Sequence, residues 1–210
     1  MMRCLLSTLW AISLGTLLMN MGGCATTQPS KFYVLSPLEA SFPKTPTVGS
    51  KTGLALGIGP IDLPPYLDRS QIVIRATRNE LHLSDFHKWA EPLQDSIPRV
   101  LAENLSILLS TDRLALFPWK GSLSIDYQVV LEIIRFDAYM NGETTLEARW
   151  QIIEEQDRAV LVIKKSQFRS SAGDGGYEAM VSGLSDNLAE LSRTIAKTIK
   201  TLKKPNTSPD

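Results

Sequence analysis

Alternation of apolar and polar side chains marks the middle of this chain as β-structure. Residues 145–152 alternate strictly, which is typical of a strand with one buried face. The predicted inward side chains are Leu146, Ala148, Trp150 and Ile152. Residues 127–136 alternate as well, but the apolar positions change parity near Ile133. A β-bulge there would keep one face of the strand buried.

Two further signals extend this region into an antiparallel meander. Asn141-Gly142 lies between the two strands and is a strong signal for a tight hairpin turn. Residues 160–168 predict a third strand. Proline- and glycine-rich turns separate four earlier predicted strands, and a polar stretch over residues 42–53 predicts a surface loop. Those four strands are Phe32–Leu35, Leu54–Ile61, Gln71–Ala76 and Glu80–Ser84.

A spacing of three and four residues predicts two helices. The first covers 93–108, where Pro98 should kink the helix or mark a late start. The second carries a long apolar stripe from Tyr177 to Leu202, which favours packing on the sheet over a partner interface. The order of strands, helix, strands and helix indicates an α+β fold, a single domain with a largely antiparallel sheet and both helices on one face.

The first 24 residues have the parts of an export signal. A short basic start precedes an apolar stretch of about 15 residues and the small residues Gly22-Gly23. This stretch is shorter than the roughly 20 apolar residues that span a bilayer. Cys24 follows directly, and the arrangement resembles the lipobox of bacterial lipoproteins, with Met21 where leucine is most common. The resemblance implies cleavage after Gly23 and acyl chains on Cys24.

Cysteine usage supports lipidation. The chain has two cysteines, and Cys4 lies within the segment that cleavage would remove, so no internal disulfide could form. Ala25, rather than aspartate, follows Cys24, which by resemblance to enteric sorting rules favours the outer membrane, facing the periplasm. The predicted organisation is a signal peptide (1–23), an acylated tether (24–31), a folded domain (32–203) and a flexible tail (204–210).

Composition excludes several kinds of function. The chain has 22 basic and 22 acidic residues without a concentrated basic run, so we expect no nucleic-acid partner. Only two histidines occur, His82 and His87, and with no cysteine available once Cys24 is acylated a zinc site is not expected. No motif for a nucleophile, a phosphate loop or a metalloprotease is present, so we predict neither an enzyme nor a cofactor.

One connecting segment carries the predicted partner site. Tyr66, Leu67, Asp68 and Arg69 follow two prolines in a stiff turn between strands, and loops of this kind often bind partners. Trp89, expected on a later connecting loop, would either plug the edge of the core or join this site.

Ordered runs of residues across the mature chain resemble the PqiC/YmbA family, auxiliary lipoproteins of ABC-type transport systems. The runs are Phe32-Tyr33-Val34-Leu35, Ile58-Gly59-Pro60, Leu63-Pro64, Tyr66-Leu67-Asp68-Arg69, Gln71-Ile72-Val73, Arg75, Trp89-Ala90-Glu91-Pro92-Leu93, Leu101-Ala102-Glu103-Asn104-Leu105 and Phe136-Asp137. Ser70 stands where the family often has proline.

The resemblance implies a non-enzymatic lipoprotein that works with an MCE-domain tunnel protein to move lipids or maintain the envelope. The family's ring-like self-assembly points to a homo-oligomer, which composition and periodicity do not indicate. An alternative is a carrier that holds a lipid in its own pocket, lined by the apolar stripe of the last helix. An envelope hydrolase is a third, much weaker alternative.

Overall fold

A computed structural model describes residues 28–39, 53–119, 124–171, 173 and 175–202. The predicted signal peptide, Cys24, most of the predicted 42–53 loop and the tail 204–210 lie outside these residues. Residues 28–30, at the end of the predicted tether, are exposed and have no regular secondary structure.

The described part of the chain forms a mixed sheet and two α-helices. A short 3₁₀ helix, Pro65–Leu67, lies between the second and third strands. In chain order the elements are β1 (Lys31–Tyr33), β2 (Leu56–Asp62), β3 (Gln71–Arg75), β4 (Leu81–Trp89), α1 (Leu93–Leu109), β5 (Leu114–Leu116), β6 (Tyr127–Tyr139), β7 (Glu143–Glu154), β8 (Ala159–Ser171) and α2 (Gly176–Leu202).

The predicted meander is confirmed. β6, β7 and β8 form the two longest ladders, and both are antiparallel. The register of β6 on β7 shifts between Ile133 and Arg135, where the change of parity predicts a bulge. Apolar residues are buried on both sides of that shift, so the bulge keeps the buried face continuous. Gly142 adopts a φ of +80° in the hairpin turn.

Shorter strands extend the other edge of β6. β2 lies parallel to the first half of β6, and β3 lies parallel to its last residues, Ala138 and Tyr139. β5 then pairs with β2, β4 pairs with β3, and β1 pairs with β4. The largely antiparallel sheet is therefore confirmed, while the parallel additions are a feature that local patterns do not reveal.

Both helices pack on one face of this sheet and on each other. The stripe of α2 is buried, and Leu188, Leu191, Ile195 and Ile199 have no exposed surface. The facing strand residues are equally buried, including Trp150. Close approach is helped by Gly183, where a methyl group would lie 2.8 Å from the hydroxyl of Thr144. The predicted α+β architecture with helices on one face is confirmed.

One of the two alternatives for Pro98 is ruled out, and the expected position of Trp89 is wrong. α1 does not start late, because it begins at Leu93 and runs through Pro98. Pro98 is the sixth residue of the helix and lacks the N–H that would bond the carbonyl of Gln94. Trp89 does not lie on a connecting loop, because β4 is longer than predicted and ends at this residue. In the described residues, neither helix has the length and apolar character needed to cross a membrane.

Candidate functional site

The loop between β2 and β3, residues 63–70, is the predicted partner site, and local backbone chemistry explains its shape. Pro64 and Pro65 fix their own φ angles and favour a tight turn. The amide of Leu67 donates to the carbonyl of Pro64 at 2.9 Å, and that of Asp68 donates to Pro65 at 3.2 Å. Leu67 is only 3% exposed, so its side chain fastens the turn to the core.

A buried carboxylate lies beneath this loop. Asp137 alternates along β6 with the core residues Phe136 and Ala138, so its side chain points to the sheet face away from the helices. It is 2% exposed. The hydroxyl of Tyr66 donates to Oδ1 of Asp137 at 2.8 Å, and Nε of Arg75 donates to Oδ2 at 2.6 Å. Asp137 therefore joins the loop, β3 and β6 at one point.

A second arginine completes this cluster, which we call the Asp137 cluster: Tyr66, Arg75, Arg135 and Asp137. Nε of Arg135 donates to Oδ2 of Asp137 at 3.0 Å, and its Nη2 also bonds the hydroxyl of Tyr139. Two cations around one anion satisfy the carboxylate, as burial of a charge requires.

The electrostatics of the cluster keep Tyr66 protonated and Arg75 charged. Burial, followed by the negative charge of Asp137, raises the pKa of Tyr66 to about 12. The hydrogen bond to Asp137 raises the pKa of Arg75 above its ordinary value. The hydroxyl of Tyr66 thus stays protonated and donates, so the cluster is suited to holding the loop in place rather than to exchanging protons.

The predicted partner residues fall into two groups. Tyr66 is half-buried, and Leu67 and Trp89 are buried, at 3% and 6% exposure, so these side chains hold the structure together. Trp89 thus plugs the core, and its amide donates to Ser70 at 2.7 Å. Asp68 and Arg69 are exposed, and their side chains form no hydrogen bond or ion pair with other described residues. We call Asp68 and Arg69 the charged tip of the loop; Tyr66 and Leu67, on the same turn, hold this tip in place.

The Ile58-Gly59-Pro60 run of β2 is also held in place by side-chain hydrogen bonds. The register of β2 on β6 shifts between Ile58 and Ile61, which leaves backbone carbonyls without a strand partner. The side-chain amide of Gln128 donates to the carbonyl of Gly59 at 2.8 Å, and that of Gln94 donates to Ile61 at 2.7 Å. Side chains from β6 and α1 therefore supply hydrogen bonds to backbone carbonyls of β2 where its pairing with β6 is irregular.

A buried asparagine ties the N-terminal segment to both helices. Asn104 on α1 has no exposed surface. Its Oδ1 accepts from the amide of Leu38 at 2.7 Å, and its Nδ2 donates to the hydroxyl of Ser192 on α2 at 3.1 Å. The segment that leads from the predicted tether is thus fixed to the core.

Comparison with known families matches residues 33–196 to the family described as ABC-type transport auxiliary lipoprotein component. The chain belongs to this family. The match spans the described fold from β1 into α2, including the β2–β3 loop and the Asp137 cluster.

Relatives of this auxiliary lipoprotein family are similar over nearly their full length. The chain is 23% identical over 193 residues to the intermembrane transport lipoprotein PqiC of Escherichia coli (strain K12), covering 92% of this chain and 98% of the relative. The protein of the same name from Shigella flexneri matches equally well. The crystal structure of protein XCC0632 from Xanthomonas campestris superposes with a TM-score of 0.67 at 16% identity, covering 85% of this chain and all of that one.

Sequence reasoning missed Arg135 and did not connect Tyr66, Arg75 and Asp137. The last three lie in the runs that carry the family resemblance, but they are far apart along the chain. An acidic residue between Phe136 and Ala138 was an available signal, since a carboxylate within an apolar strand needs a buried partner.

The two histidines lie in different surroundings. His82 is exposed on β4. His87 stacks on Tyr177 with ring centres 3.6 Å apart, and the Tyr33 hydroxyl lies 2.7 Å from its Nδ1. Burial, and secondarily the charge of Lys31, lowers the pKa of His87. In the described residues, no group of histidine, cysteine and carboxylate side chains could hold a metal ion.

Proposed function

We propose that this auxiliary lipoprotein docks the MCE-domain tunnel protein of an ABC-type lipid transporter at the outer membrane and thereby helps to maintain the envelope. In this proposal it has no enzymatic activity of its own. Acyl chains on Cys24 set its location, and the folded domain faces the periplasm. Self-assembly into a homo-oligomer, which the family resemblance implies, would repeat the docking surface.

The charged tip of the β2–β3 loop is the observation that carries the docking role. Asp68 and Arg69 have no side-chain partner among the described residues, while Tyr66 and Leu67 on the same turn are held from below. A rigid loop loses little conformational freedom when it binds, so charges held in this way favour recognition of a partner. Charge pairs at such a site contribute mainly to specificity and to the rate of association.

The carrier alternative has less support. It requires a lipid between the sheet and α2, lined by the stripe from Tyr177 to Leu202. Side chains in the centre of that stripe, such as Leu188 and Ile195, are fully buried against protein. A lipid there would have to displace core packing, which costs several kcal/mol for each large side chain. Mass spectrometry of the purified protein would reveal a co-purifying lipid if the carrier role were correct.

Site-specific photo-crosslinking tests the docking role. A benzoylphenylalanine in place of Arg69 should capture an MCE-domain protein or another transporter component from intact envelopes, because the side chain points away from the core. The measurement is mass spectrometry of the crosslinked product. Arg69 is suitable because it is exposed and makes no side-chain contact that its replacement would break.

Asp157 provides a matched control position. It is also exposed, in the turn between β7 and β8, which lies at the end of β7 away from the Asp137 cluster. Benzoylphenylalanine there should capture no transporter component. Equal capture from both positions, or no MCE-domain or ABC component from position 69, would count against docking through the loop.

A further inference from the structure

A groove on a different part of the molecule runs between the N-terminal segment and the first half of α2. It has a volume of about 970 Å³. Its walls include residues 31–34 and 36–39 on one side and six α2 residues between Glu178 and Ala189 on the other. It shares no residue with the β2–β3 loop or the Asp137 cluster.

The walls combine apolar surface with unpaired negative charge. Phe32 and Val34 are 64% and 50% exposed, and both line the groove. Glu39, Glu178 and Asp186 are exposed at the same groove and form no ion pair within the described part of the chain.

The segment opposite α2 is extended and firmly held. The amide of Ser36 donates to the hydroxyl of Ser185 at 3.1 Å, and Leu35 is buried at 2% exposure. Phe32 and Val34 share a parity, opposite to that of Leu35, so they project away from the core together. The groove is therefore a formed feature of the fold with an apolar rim.

We propose that this groove binds an extended, cationic segment of a partner protein. Lysine and arginine side chains would complement the three carboxylates, and alternate apolar side chains would contact Phe32 and Val34. The α2 positions from 178 to 189 span roughly 16 Å at the helical rise, which matches about five residues of extended peptide. The proposal concerns a second surface and does not depend on docking through the β2–β3 loop.

The charges argue against a bilayer as the occupant. Surfaces that lie on membranes combine apolar side chains with lysine and arginine on the polar side. Here three of the four charged residues in the groove wall are acidic, with Lys31 as the basic exception, and Lys88 lies beside Phe32 on β4 outside the wall. The same carboxylates favour a cationic peptide.

Binding of a short synthetic peptide tests the proposal. Full-length protein in a neutral detergent would be titrated into fluorescein-labelled Lys-Val-Lys-Val-Lys-Val-Lys, with fluorescence polarisation as the readout. We expect this peptide to bind at least tenfold more tightly than Glu-Val-Glu-Val-Glu-Val-Glu. The double substitution Glu178→Gln with Asp186→Asn should weaken binding at least tenfold, while Glu190→Gln, exposed on the same helix outside the groove, should change it less than twofold.

Four outcomes would overturn the proposal. If Lys-Gly-Lys-Gly-Lys-Gly-Lys bound as tightly as the valine peptide, binding would be charge attraction without the groove, and the proposal would fail. Equal affinity of the double variant and the unmodified protein would also overturn it.

Two of the four outcomes would assign the groove to another occupant. A Phe32→Trp variant whose emission shifts to the blue with phosphatidylcholine vesicles would assign the groove to the bilayer. Benzoylphenylalanine at position 32 that captured only a second copy of this chain would likewise overturn the proposal.

Discussion

At the scale of single residues, Asp137 determines where the β2–β3 loop lies. β2 and β3 both follow the same edge of β6, and the loop spans the gap that they leave along this edge. Without a fixed point, a loop of this length would be free to move relative to the sheet. The bonds from Tyr66 and Arg75 to one buried carboxylate supply that fixed point.

Replacing Tyr66 with phenylalanine should cost about 1.5 kcal/mol of unfolding free energy at pH 8, because a hydrogen bond to a charged group is lost. The difference should shrink as the pH rises from 10 to 12. The folded pKa of Tyr66 is about 12, above its ordinary value of 10. The raised pKa stabilises the fold fully below pH 10, and this contribution, about 1–2 kcal/mol once discounted for the partial exposure of Tyr66, is lost as the pH rises to 12.

Urea unfolding of the two proteins at several pH values measures this effect. Lysines and the other tyrosines titrate in both proteins, so their contributions cancel in the difference. By pH 12 the phenylalanine variant should be as stable as the unmodified protein, or more stable. A constant difference from pH 8 to pH 12 would contradict the assigned contact between the hydroxyl and Asp137.

Sequence reasoning could identify these residues but not their contacts. Tyr66, Arg75 and Asp137 stand in recognisable runs, yet more than 60 positions separate Asp137 from either of the other two. No local rule states which distant carboxylate a tyrosine will meet. For Leu67 and Trp89, exposure on a loop and burial in the core are equally compatible with the same sequence, and only the folded chain distinguishes them.

At the scale of elements, local patterns were sufficient for the meander and insufficient for the rest of the sheet. Strict alternation predicts β7, and the change of parity near Ile133 predicts the bulge in β6. Asn141-Gly142 predicts the turn between these two strands. The parallel pairs of β2 and β3 with β6 join strands that are distant in sequence, so no turn specifies their register. β5, with only three residues, is too short to leave a periodic signal.

The hairpin turn between β6 and β7 allows a paired test that separates the penalty of a positive φ angle from that of steric overlap. Gly142 and Gly173 have φ angles of +80° and +58°, so alanine at either position carries a penalty of roughly 1–2 kcal/mol. A methyl group at position 142 would also overlap the carbonyl oxygen of Gly173, whereas one at position 173 meets no atom within 4 Å. We expect Gly142→Ala to be the more destabilising by at least about 1 kcal/mol.

Urea unfolding followed by tryptophan fluorescence compares these two variants directly. Gly173→Ala serves as the control, because it keeps the conformational penalty and removes the overlap. Equal losses of stability would indicate that the two turns do not pack against each other. In that case the end of β8 would not support the hairpin.

At the scale of the whole molecule, the end of the β2–β3 loop and β1, the strand that follows the predicted tether, both bond the backbone at the end of β4. The amide of Trp89 donates to Ser70 at the end of the loop, and the next amide, Ala90, donates to Tyr33 in β1 at 2.8 Å. Cys24 precedes Lys31 by seven positions, which can span at most about 25 Å. An anchor on Cys24 would therefore hold the docking loop close to the bilayer, where a tunnel that ends at the membrane would meet it.

This arrangement depends on lipidation of Cys24, which a substitution can test. Each buried methylene contributes about 0.8 kcal/mol, so one acyl chain binds reversibly, whereas two or three on one cysteine hold the protein permanently. Cys24→Ser should abolish incorporation of labelled palmitate and remove the protein from the outer-membrane fraction of a sucrose gradient. The domain should remain folded, because the first strand begins at Lys31.

Cys4→Ser is the matched control, since Cys4 lies in the predicted signal peptide and cleavage after Gly23 would remove it from the mature chain. This variant should incorporate palmitate and reach the outer membrane like the unmodified protein. If the Cys24→Ser variant still fractionated with the outer membrane, the acyl anchor would not set the location of the protein. Contacts of the folded domain would then have to hold it there, and the short tether would no longer predict a position of the β2–β3 loop near the bilayer.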